Sequence, residues 1–461
     1  MVLRERTLWL QRARLPDGWR DDVRLTVDVA GTITGVAFGG PEAGDERVAG
    51  VVLPSISNLH SHAFQRAAAG LTERRHTADQ DSFWSWREVM HGFVTRITPD
   101  QHQAIAAQLY VEMLKAGYTG VGEFHYLHLD PSGRPYGDPA EMSRRCVIAA
   151  EQAGIALTLL PVLYSVGGYR GKEPNAGQRR YILEVVDFCN IVAAMNKEAA
   201  DKPWFRVGIA PHSVRQVPAE PLHEALAAAS EIDPTMPIHI HAAEQVLDVE
   251  EHVATTGARP VEWLLDNTGL DGRWCLVHAT HLNDREVDGL ARSGAVAGLC
   301  PTTEGNLGDG LFPFETYLAA GGRWGVGSDS HVSVNPVEEL RWLEYGRRLV
   351  TLSRNVAAPG QGGSTGARLF DDALAGGAQA LGQAMGAIAA GSAADLVVLD
   401  PEHPALFGRD ADGIVDSWIF ASSERLPRRV MAAGRWVVED GRHVAEEAVS
   451  KAFRKAIAEL A

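Results

Sequence analysis

Two histidines separated by one serine are the first chemistry this chain offers: residues 51–65 read VVLPSISNLHSHAFQ, placing His60 and His62 just after an apolar run. Side chains two apart on a strand share a face, so both imidazoles can reach one metal ion. A single such pair also arises by chance in a chain with 17 histidines, so partners elsewhere must decide. They stand at the ends of other apolar runs: Glu123, His125 and Tyr126; His212; His239, His241 and Glu244; His278 and His281; and Asp329. Any one of these alone reads as a hydrogen-bonded structural residue. Their shared position at run ends points to one site. A hydrolytic zinc centre uses three or four N and O ligands and a place for water, whose pKa the metal brings to about 7. His60, His62, His241 and Asp329 can supply that shell. Glu244, three residues beyond His241, can shuttle a proton, and His278 can orient the water or stabilise developing negative charge.

The elements that must position these groups alternate strand-length apolar runs with helical patterns. Eight runs are visible: 51–58, 119–124, 156–163, 206–210, 237–241, 274–278, 295–300 and 323–328. Eight βα units predict an α/β fold, a distorted (β/α)8 TIM-like barrel with its site at the C-terminal strand ends. Thr98-Pro99-Asp100 opens a helix that Gly117 follows, and residues 218–230 and 336–349 carry helical patterns. Two connections, 71–97 and 165–180, are long enough to be lids or substrate walls. The Gly-rich piece 357–366 reads as a surface loop. Residues 24–29 and 33–37 near the start, and 395–400, 414–420 and 429–439 near the end, all read as strands. The expected organisation is therefore a small composite β-sandwich, 1–52 plus 393–461, around a catalytic barrel, 53–392.

At 461 residues the chain has ample material for such a core, and 45% hydrophobic with 22% charged residues is ordinary for a globular protein. A formal charge of −16 argues against a nucleic-acid surface, though buried arginines can still define an anion pocket. No run of about 18 apolar residues suggests a membrane span, and the N-terminus lacks the apolar centre of a signal peptide. The four cysteines, Cys146, Cys189, Cys275 and Cys300, show no paired spacing and read as buried thiols. A cytoplasmic location is expected.

The strings HSH, HAAE, VHATH and GSDSH, in that order, resemble the amidohydrolase superfamily of metal-dependent hydrolases. The resemblance implies the barrel and the composite β-sandwich. Two-metal members usually carry a carboxylated lysine at the end of the fourth strand, and RVGIAPHSVR has none there. That lack implies the one-metal branch, typical of deaminases, with one divalent ion, zinc being the expected one, on His60, His62, His241 and Asp329. The family pattern HxxE decides for His241 over its competitor His239.

More particular strings, NLHSHAFQRAAAGL, DSFWSWR, GEFHYLH and APHSVR, are similar to the superfamily's deiminases of linear amidines. This implies hydrolysis of N-formimino-L-glutamate to N-formyl-L-glutamate and ammonia, a step of histidine degradation. Glu244, His278 and Asp329 are then the catalytic groups, with Gln65, Tyr126 and His212 contacting substrate. A dicarboxylate substrate calls for guanidinium partners, and Arg87 and Arg215 are the candidates, with Trp84 and Trp86 packing the loop around Arg87. A homodimer is the family-level expectation. The alternatives are a deaminase of a purine or other aromatic base, which would rely on stacking rather than two arginines, and a barrel that binds without catalysing.

Overall fold

The computed structural model describes residues 5–74 and 83–460. Strands from both ends of the chain form one eight-stranded sheet. From the start come β1 (Arg6–Leu15), β2 (Gly18–Val27), β3 (Ile33–Phe38) and β4 (Glu46–Pro54). Alternation of buried and exposed residues is clear in β1 and β2, where Leu8, Leu10, Val23, Leu25 and Val27 turn inward onto one apolar cluster.

The run 51–58 is not one strand. β4 ends at Pro54, and β5 (Ile56–Ser61) begins the barrel after a turn in which the Ser55 hydroxyl donates to the Gly117 carbonyl at 2.7 Å. β6 (Tyr118–His125) and β7 (Ala156–Leu163) follow and are buried along their whole lengths, as expected where helices cover a parallel sheet. The fourth barrel position is broken into β8 (Phe205–Val207) and β9 (Ala210–Pro211). The second half is β10 (Ile238–Ala242), β11 (Trp274–His278), β12 (Val296–Leu299) and β13 (Arg323–Val326), paired in parallel in that order. Bridges Ile209 to Ile238 and Ser61 to Asp329 join the halves and close the barrel.

The chain then returns to the terminal sheet as β14 (Leu396–Leu399), β15 (Pro427–Ala432), β16 (Arg435–Glu439) and β17 (Arg442–His443). β14 lies beside β4, which is how the two ends meet. Residues 414–420, read as a strand, belong to a helix, Asp412–Phe420. Ile414, Val415, Trp418 and Ile419 bury one helical face, a pattern that a short apolar run does not reveal.

Two helices bear on the site. The connection 71–97 contains α1 (Phe83–Val94), so Arg87 sits on a helix rather than a loop; residues 75–82, which include the start of DSFWSWR, lie outside the described residues. α2 (Pro99–Ala116) begins with a reciprocal cap between Thr98 and Gln101 and ends at Gly117, whose φ of +102° suits glycine. The buried guanidinium of Arg180 donates to the carbonyls of Val94 and Ile97 and to that of Leu129, tying the end of α1 to the barrel.

Candidate active site

The barrel closes through the very residues that carry the donor atoms. The Asp329 N–H donates to the His60 carbonyl at 3.0 Å, and the His62 N–H to the Asp329 carbonyl at 3.3 Å. Gly327 makes this possible, since a Cβ there would lie 2.8 Å from the His60 backbone. His278, Asp329 and His331 have φ of +66°, +41° and +62°, a conformation costly for residues with a Cβ and concentrated here at the strand ends.

Four side-chain atoms converge as a result. His60 Nε2 lies 3.1 Å from His62 Nε2 and 3.2 Å from His241 Nε2, while Asp329 Oδ1 is 3.3 and 3.2 Å from the first two nitrogens. Four ligands at the usual Zn–N and Zn–O lengths of about 2.0–2.1 Å stand about 3.3 Å apart in a tetrahedron. These four spacings therefore suit one ion. The remaining ring nitrogens support the same conclusion: His62 Nδ1 meets the Phe124 carbonyl at 2.8 Å and His241 Nδ1 meets the His212 carbonyl at 3.0 Å. Each carbonyl holds a proton on Nδ1 and leaves the Nε2 lone pair directed at the centre. Burial keeps the imidazoles neutral, with His60 lowered to about 3 and His62 and His241 also lowered. Burial works against the Asp329 carboxylate, yet its hydrogen bond to His60 holds it well below the usual range.

The candidate proton-transfer groups stand beside this cluster. Glu244, buried, is pushed up to about 7, chiefly by desolvation, with His278 pulling the other way and Asp248 and Asp329 adding to the rise. A carboxyl titrating near neutrality can both give and take a proton. His278 Nε2 is 3.7 Å from Glu244 Oε1, and His278 Nδ1 is 3.3 Å from Glu304 Oε1. Desolvation opposes the His278 cation, but Glu244, Glu304 and Asp329 outweigh it and raise the group to about 10.

A cavity of about 50 Å³ lies over these groups, lined by Gln65, Trp86, Arg87, Tyr126, Arg215 and Leu307 together with His62, His241, Glu244, His278 and Asp329. Gln65 Nε2 donates to the Tyr126 hydroxyl at 3.0 Å, which leaves Gln65 Oε1 buried without a partner. The His212 ring packs 4.8 Å from His241 and 5.9 Å from Tyr126. Arg215, on the connection after β9, is buried and ion-paired with Asp248. Arg87 has no ion pair among the described residues. Trp84 receives both guanidiniums, Arg87 at 5.8 Å and Arg215 at 5.2 Å from its ring centre. The two arginines also line an outer cavity of about 420 Å³ with Tyr169, Lys172 and Gln178, so they stand between the inner chamber and its approach.

Every residue singled out at a run end now has a place. His239 turns away from the centre and meets the Ala380 carbonyl at 2.8 Å, His281 meets the Asp309 carbonyl at 2.8 Å, and His125 packs with His102 and Cys146. Cys146, Cys275 and Cys300 are buried and all four cysteines are free, but Cys189 is half-buried, so the buried-thiol reading holds for three.

The structure adds groups that the sequence did not single out. Glu304 contacts His278, and buried Asp309 lies against Glu244 and His278, its carboxyl raised to about 9 by burial and by Glu244. Both lie in CPTTEGNLGDG, directly after the run 295–300, and a survey extended to the end of that run would have found them. Glu123 stands at a run end with no role that its sequence context assigns. It accepts from Ser61 and from the Ala63 N–H, both at 2.7 Å, and so clamps the turn that carries His60 and His62.

Comparison with known proteins agrees with this geometry. Residues 51–437 match the model of the amidohydrolase family. The chain belongs to that family. It is 49% identical to the formimidoylglutamate deiminase of Pseudomonas aeruginosa over 98% of this chain and 99% of that one. The crystal structure of an amidohydrolase from Brucella melitensis superposes with a TM-score of 0.92 at 44% identity, covering 99% of both chains. An adenosine deaminase from Xanthomonas campestris, crystallised with zinc, shares the fold at a TM-score of 0.81 and 19% identity over 99% of this amidohydrolase and 98% of that chain. Among the described residues, no helix of this amidohydrolase is long and apolar enough to cross a membrane.

Proposed function

We propose that the chain catalyses the reaction of a formimidoylglutamate deiminase, converting N-formimino-L-glutamate and water to N-formyl-L-glutamate and ammonia. The observation that carries this reading is the cluster of four converging donors with Glu244 and His278 beside it and, across the same chamber, Arg87 with no ion pair among the described residues. A guanidinium at a chamber wall without a carboxylate of its own is suited to a carboxylate that arrives with the substrate.

One divalent ion, zinc by the donor set, would be held by His60, His62, His241 and Asp329; when bound, it lowers the pKa of water to about 7 and polarises the carbon under attack. Asp329 takes a proton from the attacking water. His278 bears positive charge, held by Glu304 and Glu244, and stabilises the negative charge that develops on the incoming oxygen. Glu244 delivers a proton to the formimino nitrogen, so that ammonia leaves as the tetrahedral carbon collapses to the formyl group. Gln65, Tyr126 and His212 line the substrate chamber, and Arg87 and Arg215 hold the carboxylates. We propose that the enzyme acts in histidine degradation, as a homodimer in the cytoplasm.

The test is ammonia release from N-formimino-L-glutamate measured beside guanine, adenosine and 5-methylthioadenosine. Turnover of the amidine alone supports the reading, and turnover of a purine alone replaces it with a base deaminase. A purified protein that carries no metal and stays inactive after zinc is added would instead be a binding protein.

A further inference from the structure

Tyr164 stands one residue beyond β7 and is buried, its ring 4.7 Å from His212 and 5.7 Å from Tyr181. Its hydroxyl oxygen accepts from Arg87 Nη2 at 2.8 Å and from Gln178 Nε2 at 2.6 Å. Neither donor can reverse its role. A guanidinium has no lone pair to offer. The Gln178 amide is fixed in orientation because its Oε1 accepts from the Asn175 backbone N–H at 2.9 Å, leaving the Nε2 end toward Tyr164. A phenol oxygen has two lone pairs and one proton. Both lone pairs are used here, and the proton has no acceptor within hydrogen-bond distance among the described residues.

The direction of these bonds matters because of what Arg87 is doing. Arg87 reaches both the inner chamber and its approach, has no ion pair among the described residues, and donates a hydrogen bond to Tyr164. Tyr164 is buried behind Arg87 and Gln178, which line the cavities, so a carboxylate paired with Arg87 would stand beside the group that Arg87 itself touches and would bring the acceptor that the Tyr164 proton lacks. Gln178 keeps the phenol from turning that proton elsewhere.

We infer that Tyr164, oriented by Gln178, is a specificity-determining residue: its hydroxyl donates to the substrate carboxylate held by Arg87. The inference rests on the dicarboxylate reading above. It assigns Tyr164 to binding rather than to bond breaking, because its hydroxyl is engaged with Arg87 and Gln178 and not with Glu244, His278 or the donor cluster.

The experiment compares wild type with Tyr164→Phe on three compounds: N-formimino-L-glutamate, N-formimino-4-aminobutyrate, which lacks the α-carboxylate, and N-formimino-L-norvaline, which lacks the side-chain carboxylate. Loss of one hydrogen bond to a charged group raises KM about tenfold to a hundredfold on the dicarboxylate. The kcat should stay within about threefold, since the lost bond forms equally before and during reaction. On the compound missing the carboxylate that Arg87 holds, the two enzymes should have the same KM. A KM within twofold of wild type on the dicarboxylate overturns the inference, and so does an equal rise on all three compounds, which would mark a merely structural role. Gln178→Leu supplies a second arm with the phenol intact: it should raise KM about twofold to fivefold with the same dependence on substrate, and an unchanged KM overturns the orienting role. Failure of the wild type to release ammonia from N-formimino-L-glutamate overturns the proposed function and this inference together, whereas a wild type that turns it over beside an unaffected Tyr164→Phe overturns the inference alone.

Discussion

Among the described residues, one cluster of imidazoles at the barrel centre and another behind it bring metal-capable donors together, and they differ in where those donors point. At the centre, His60, His62 and His241 point Nε2 at one another, and backbone carbonyls of Phe124 and His212 take the Nδ1 protons of two of them. Behind β6, His102 Nε2 approaches Cys146 Sγ at 3.2 Å and His125 Nδ1 approaches it at 3.6 Å, while His102 Nδ1 and His125 Nε2 have no partner among the described residues. Burial pushes the Cys146 thiol well above its usual range, with Glu123 adding to the rise, so the sulfur keeps its proton. The first cluster gathers four lone pairs and includes a carboxylate; the second shares one thiol proton. Both are built on imidazoles, and the carboxylate in one, the thiol in the other and orientation by second partners separate them.

Breaking the first cluster has the largest expected effect. His241→Ala should reduce bound metal from one per chain to near zero by elemental analysis and abolish ammonia release. Glu244→Gln keeps every metal donor, so metal content should stay at one while kcat falls about 100-fold to 10,000-fold; near-normal turnover would remove Glu244 from the mechanism.

The second cluster should act on stability instead. His102 is lowered to about 3 by burial, with Arg180 and Arg145 adding to the shift, so below pH 6.5 the unfolded chain binds a proton that the folded one refuses. The contribution is present above pH 6.5 and is lost as pH falls toward 3, reaching roughly 2 kcal/mol at pH 5. His102→Gln should flatten the pH dependence of Tm over that interval, and an unchanged slope would show that His102 does not set it. The smallest effect is expected for Cys146→Ala, with metal content unchanged and kcat/KM within about twofold of wild type. A fall in metal per chain in that variant would make the second cluster a metal site and erase the contrast.

Much of the first cluster was legible because a parallel barrel puts strand ends on one rim, so that histidines at run ends in sequence become neighbours in space. The groups that escaped notice, or were noticed without a role, were those whose meaning depends on a partner. Glu304 matters through His278, Tyr164 through Arg87, and Glu123 through the turn at Ser61. Residues 414–420 and the start of the barrel were misjudged for another reason: a short apolar run has the same composition as a strand or as a buried helix face, and Pro54-Ser55 leaves an apolar run looking continuous.

The sequence by itself determined the order of barrel strands, the candidate donors and proton carriers gathered at the run ends, and the absence of a lysine at the fourth strand, because periodicity and residue type are local properties. Only the tertiary structure decided that His239 faces away while His241 faces in, that Arg215 is ion-paired while Arg87 is not among the described residues, and that the Tyr164 proton awaits an acceptor. Those are statements about where lone pairs and protons point, and their direction is set by carbonyls and side chains from distant parts of the chain.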